Sequence, residues 1–312
     1  MRRPNVADVT TFGARGNGFH DDTHAIQKAI DSLYDRPYHP DSYPRTVAGG
    51  VVFFPPGRYR HHGLTIAGPN IALEGCGLAS RLDHSCTLLM GHDIKVPMIE
   101  FDDEVAFVTP FRMCGVSMEL DGVKTNNDKL GTCGIKINTG KQFRRYFQFE
   151  RVGILSMEHG ILLNANEGDG MAVGDITITN CLMQYNHYGM YSRLHPSGSA
   201  YITVNGLTIR DSPIRQNVSH GIHVSAMGAS IDRICVEGQP FGIEINHGCS
   251  GVVVQACYSE SNKKMVDGVD VGFAARVTAY TRDLSSIVMH GNYYGGSVPG
   301  ISATKFLVVE RK

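Results

Sequence analysis

The sequence contains no tryptophan and no apolar run long enough to span a membrane. Charge of one sign is also missing: 29 Lys and Arg stand against 30 Asp and Glu, a formal net charge of −1. That balance excludes the broad basic surface nucleic-acid binding requires, so a charged partner must be met locally. The eight cysteines, Cys76, Cys86, Cys114, Cys133, Cys181, Cys235, Cys249 and Cys257, include no CxxC pair and no metal-like spacing. They are expected as buried, reduced thiols. The opening MRRPNVADVTTFGARG has two arginines but no apolar segment of signal-peptide length. The expectation is a soluble chain made without a cleaved Sec signal; virion association or a non-Sec route of export would leave no such mark.

Helical patterning is scarce as well. Only DDTHAIQKAIDSLY, residues 21–34, joins an Asp/Thr cap signal to an apolar stripe of Ile26, Ala29, Ile30 and Leu33, which predicts a helix over 22–34. What the chain has in excess is glycine, 36 residues, which favours turns and strands. Six short segments recur: CGIKIN at Cys133, HGILLN at His159, YGMYSR at Tyr188, HGIHVS at His220, FGIEIN at Phe241 and DGVDVG at Asp267. Their glycines are 26, 29, 32, 21 and 26 residues apart, the spacing of a repeat architecture. Each follows an alternating strand, such as FQFER at Phe147 or ITITN at Ile176. An apolar period of two excludes a helical solenoid and predicts an all-β, parallel β-solenoid with rungs about 4.8 Å apart. The whole chain, 1–312, is expected as one domain: a cap to about 50, rungs over about 51–272, and a closing segment over about 273–312.

The run VTTFGARGNGFHDDTHAIQKAID, then GGVVFFPPGRYR and LEGCG, resembles the N-terminal signature of the pectate lyase superfamily, which includes rhamnogalacturonase-like, epimerase-like and phage tailspike domains. The resemblance implies a right-handed parallel β-helix with an N-terminal capping helix. It departs at Asn17, where the family usually carries Asp; a turn accommodates either. The matching residues build cap and first rungs, so the resemblance says little about chemistry.

Residues two and four positions after each repeat glycine are expected to face outwards. The first column runs Lys136, Leu162, Tyr191, His223, Glu244, Asp270, and the second Asn138, Asn164, Arg193, Ser225, Asn246, Gly272. If the register holds, Glu244 and Asp270 lie about 5 Å apart and repel by about 1–3 kcal/mol, enough to keep one protonated. Such asymmetry suits glycosidic hydrolysis. Glu244 and Asp270 are therefore the expected catalytic pair, with Tyr191, Arg193, His220, His223, Asn246 and Asp267 around them and Glu167 and Asp169 on a rim loop as substrate contacts. His220 and His223, three apart on a strand, are expected on opposite sides. A second column, Glu150, Thr179, Arg210, Asp232, Gln255, offers an Arg210–Asp232 salt bridge. Tyr185, Tyr188, Tyr191 and Tyr201 are candidate sugar platforms.

These readings point to a glycoside hydrolase without cofactor. Two alternatives stay open: a metal-assisted lyase of uronic-acid polymers using Ca²⁺, and a glycan-binding spike, trimeric or otherwise, without turnover. A polysaccharide is the expected partner in each; nucleic acid and membrane are not.

Overall fold

The computed structural model describes residues 5–34, 49–78, 86–92, 95–101, 110–139, 144–164, 173–193, 204–245, 249, 251–260, 265–266, 269–270, 273–275 and 287–295. The glycine repeat resolves into the rungs of a right-handed parallel β-helix. Three parallel sheets of ten, ten and eight strands run the length of the described chain. A rung is visible in Val173–Thr179, Leu182–Gln184 and Tyr188–Ser192, one strand per sheet.

The corner between the first and second sheets is a single left-handed residue. Arg151, Asn180, Asp211, Arg233 and Ala256 hold it, with φ between 50° and 54°. Asn and Asp suit that conformation; Arg and Ala occupy it at a small cost that the stacked rungs impose. At the next corner amides form a ladder. Asn186 Oδ1 accepts from Met157 N at 2.9 Å, and Asn217 Oδ1 from Asn186 N at 3.0 Å. Each amide thereby satisfies backbone that the turn would strand in the core.

Alternation fills the interior. Ile222, Val224, Ile243 and Ile245 are at most 2% exposed, as the inward positions require. Phe101, Phe111, Phe147 and Phe149 pack on one another through earlier rungs, edge to face or tilted. The helix Thr23–Asp31, shorter than the sequence pattern predicts, buries Ile26, Ala29 and Ile30 over the open N-terminal end. Its Asp22 does not cap it by side chain; that buried carboxylate accepts from Arg15 N and Gly16 N instead. Asp21 Oδ1 accepts from Thr23 N at 3.0 Å.

The boundaries expected for cap and rungs shift. Val6–Asp8 already pairs with Val51–Phe53, so the first rung begins inside the cap segment. Phe273–Ala275, Ile287–His290 and Tyr293–Gly295 continue all three sheets past 272. Of the cysteines, Cys114, Cys133, Cys181, Cys249 and Cys257 are buried, Cys86 and Cys235 half-buried and Cys76 exposed, and all eight are free thiols.

Candidate functional site

The repeat glycines owe their place to packing, not to turn geometry. A Cβ on Gly134, Gly160, Gly189 or Gly221 would sit 2.3–2.6 Å from the carbonyl oxygen of the next glycine along the stack. Only a hydrogen fits there. This bare line aligns two side-chain columns on the third sheet. One runs Cys133, His159, Tyr188, His220, Phe241, and the other Lys136, Leu162, Tyr191, His223, Glu244, every step in register.

The rings within each column stack. His220 lies between Tyr188, at 5.4 Å, and Phe241, at 4.5 Å. His159 stacks on Tyr188 at 5.1 Å, and Tyr191 on His223 at 4.3 Å. Across the columns His220 and His223 meet edge to face at 5.9 Å. The two histidines therefore converge, contrary to the expectation of opposite sides. His220 opens its strand, where the corner turns its ring onto the outer face.

Both imidazoles address one carboxylate. His220 Nε2 is 2.6 Å from Glu244 Oε2, and His223 Nε2 is 4.0 Å from the same oxygen. His220 Nδ1 lies 2.8 Å from Ser219 Oγ, so both ring nitrogens are held and the ring cannot rotate. His223 Nδ1 is 3.2 Å from the carbonyl of Ser192. A carbonyl only accepts, so Nδ1 carries the hydrogen and Nε2 is the basic nitrogen. Glu244 and His223 sit on the outer face but are only 7% and 8% exposed. Burial, with Tyr188 and Glu244 adding, raises the Tyr191 phenol, and Arg193 opposes this. Tyr191 is held as a proton donor. Burial also pushes His159 down to about 4, against the pull of Glu158, so this ring is neutral.

The predicted register, with Asp270 directly beside Glu244, is not the one the backbone adopts. The residue opposite Glu244 on the next rung is Ala274, and Asp270 instead pairs antiparallel with Met265. The rung is four residues longer than the motif implied: the position equivalent to Gly242 is 272, not 268. Both Gly268 and Gly272 precede apolar residues, so the pattern favoured the nearer one wrongly. Asn246, Asp267, Glu167, Asp169 and Tyr201 lie outside the described residues.

The other expectations divide. Glu150, Thr179, Arg210, Asp232 and Gln255 form the predicted column. Yet Arg210 and Asp232 make no salt bridge; Asp232 pairs with Arg233, which also binds Asp211 at 2.8 Å. Of the described members of the other column, Asn138, Asn164 and Ser225 are buried and Arg193 is exposed. Asn164 Nδ2 donates to Asn138 Oδ1 at 3.1 Å, from one rung to the next. Tyr185 sits at a different corner from Tyr188 and Tyr191. Sequence reasoning missed Ser219, His159 and Phe241; the residue preceding each glycine, aromatic or imidazole in four successive repeats, was the available signal. Among the described residues no three His, Cys, Asp or Glu side chains are grouped to hold a metal ion, and no helix is long and apolar enough to cross a membrane.

The sequence model of the family described as rhamnogalacturonase A/epimerase, pectate lyase-like, matches residues 6–269. Comparison with curated proteins gives no match. Among solved structures, the A-module of mannuronan C-5 epimerase AlgE4 from Azotobacter vinelandii is 18% identical with a TM-score of 0.51, covering 98% of this chain and 91% of that one. The phiAB6 tailspike, solved with oligosaccharides of the Acinetobacter baumannii surface polysaccharide, is 13% identical with a TM-score of 0.51; the match covers 88% of this chain and 43% of the tailspike. A Geobacillus virus E2 protein, ORF18, is 16% identical at a TM-score of 0.48, over 81% of this chain and 57% of its own. The chain thus spans less than two thirds of both viral proteins.

Proposed function

The chain belongs to the rhamnogalacturonase A/epimerase, pectate lyase-like family, and from that footing we propose that it cleaves an acidic polysaccharide by lifting the proton α to a uronate carboxylate. The observation that carries this reading is the setting of Glu244: its neighbours in the column are His223 and Ala274, with two imidazoles and, among the described residues, no second carboxylate paired with it in the register. Displacement at a sugar carbon uses two carboxyl groups across the bond. Proton abstraction uses a base, a donor and a cation to hold the substrate's acid.

Arg193, exposed at the end of its strand, would hold the uronate carboxylate and make its α-proton more acidic, so this reading calls for no metal. His223 Nε2 takes the proton. The electron pair left on carbon forms a double bond as the glycosidic C–O bond breaks, and the Tyr191 hydroxyl protonates the departing oxygen. Glu244 stabilises the imidazolium formed at His223, while His220 and Ser219 fix the carboxylate's orientation.

The test is product analysis in D2O over a panel of acidic and neutral polysaccharides. Unsaturated uronate ends, absorbing in the ultraviolet, are expected from an acidic polymer. Saturated reducing ends would make the chain a hydrolase, and retention of glycan with no product would make it a binder; either result overturns the reading.

A further inference from the structure

A second candidate site lies on a different sheet. Strand Gly57–His61 places Arg58 and Arg60 on either side of Tyr59, which is buried, so both arginines face outwards. The Nε of each is shut off from solvent and has no hydrogen-bond partner. Both side chains also line a hollow on this face, so their guanidinium cations are offered to whatever enters it.

The wall beside them is built with care. Buried Asp22 holds the backbone N–H groups of Arg15 and Gly16, and Asn17 Oδ1 accepts from Phe19 N and His20 N at 3.0 and 2.9 Å. Gly16 and Gly18, at φ 58° and 79°, supply the left-handed steps. The result is a fixed lip from which Phe19 projects, 85% exposed. Opposite stand Met90 and Asp121, whose carboxylate is 3.4 Å from His92 Nδ1. Between them is a hollow of about 670 Å³. It shares Arg58, Met90 and Asp121 with a smaller hollow that also holds Glu119, and this one shares Val123 with a cleft of about 800 Å³ floored by Leu155 and Leu182. Tyr185, 47% exposed, closes the far end. The register Arg60, Met90, Glu119, Leu155, Gln184 runs this channel across five rungs, about 19 Å at the usual strand spacing.

We propose that this channel is a second glycan site, which takes a linear oligosaccharide carrying acidic groups along the solenoid axis. Arg58 and Arg60 read the carboxylate or sulfate, Phe19 and Tyr185 pack on sugar rings, and Glu119 and Asp121 accept from hydroxyls. The strand following Arg60 in the same rung is Leu64–Ile66, and its Thr65 heads the column that reaches Glu244 six rungs later, about 29 Å away. One polymer could be anchored here while another segment of it is processed at Glu244, but the proposal does not depend on that chemistry.

The experiment is calorimetric titration of the Glu244→Gln chain with three probes of equal length: an oligouronate, a sulfated oligosaccharide and a neutral one. One acidic probe is expected to bind, the uronate and sulfate arms identifying which acid, and the neutral probe to bind at least tenfold more weakly. The Arg58→Gln/Arg60→Gln variant should lose that binding by about tenfold or more, as charge-assisted contacts predict. A separate binding event at Glu244 survives those changes, so the two readings fail independently. Tyr185→Ala, an exposed change that leaves the lip alone, should weaken binding as well. Equal binding of neutral and acidic probes, or acidic binding untouched by the arginine variant, overturns the proposal. So does a change of molecular mass in that variant without any effect on glycan, which would make the channel an interface between copies.

Discussion

Nε2 of His220 lies 2.6 Å from Oε2 of Glu244, although the two residues are 24 positions apart and belong to successive rungs. A solenoid brings them together by length alone: the rung between them must be the right number of residues. At about 10% side-chain exposure for each, the contact is charge-assisted and poorly screened.

Glu244→Gln should therefore lower turnover by about 10²–10⁴-fold, the usual contribution of a positioned acid–base group. The amide keeps the shape and one hydrogen bond to His220, so the thermal melt should stay close to that of the parent chain. His223→Gln should fall as far, because it removes the basic nitrogen. Turnover near the parent's in both variants, measured on whichever polymer is cleaved, would place the chemistry elsewhere.

Asp270→Asn should leave turnover unchanged. Its backbone pairs with Met265 in a separate two-stranded ribbon, and Ala274 holds the place beside Glu244. A loss comparable to that of Glu244→Gln would restore the carboxylate pair and with it the hydrolase reading.

The sequence was legible wherever backbone periodicity alone decided the outcome. The column Lys136, Leu162, Tyr191, His223, Glu244 follows from counting from each glycine, as does Glu150 to Gln255 on the first sheet, because rung strands must stack in register. It was illegible where a loop of variable length intervened, as between Gly242 and position 272. Period two also cannot say how far an outward residue is exposed: Glu244 and His223 read as solvent-facing yet are covered. The convergence of His220 with His223 depends on a corner, and alternation holds only within a strand.

The glycine line makes a sharper prediction than turn chemistry would. Gly160→Ala places a methyl 2.3 Å from the carbonyl oxygen of Gly189, an atom of the rigid backbone. The stack must open locally, at a cost of about 1–3 kcal/mol or more, as overpacking generally costs. A drop in the thermal midpoint should be accompanied by loss of the His159–Tyr188 stacking, visible in the tyrosine near-ultraviolet dichroism. An alanine variant as stable as the parent would show that the strands are not held so close.

Acid should weaken the fold through buried histidines. Burial holds His61 down to about 3 against an ordinary 6.5, and it is fully enclosed. Its Nδ1 accepts from Gly63 N at 3.1 Å, a bond that protonation of that nitrogen would abolish. Between about pH 6.5 and 3 the unfolded chain binds a proton at His61 that the folded chain does not, so stability falls as pH drops, by about 1.4 kcal/mol per unit. His159, held at about 4, adds to the slope over the upper part of that range. His61→Asn sets a carbonyl oxygen near the place of Nδ1 and removes the titration. Denaturant unfolding from pH 8 to 4 should show a shallower loss of stability in that variant, while an unchanged slope would assign the acid sensitivity to other groups.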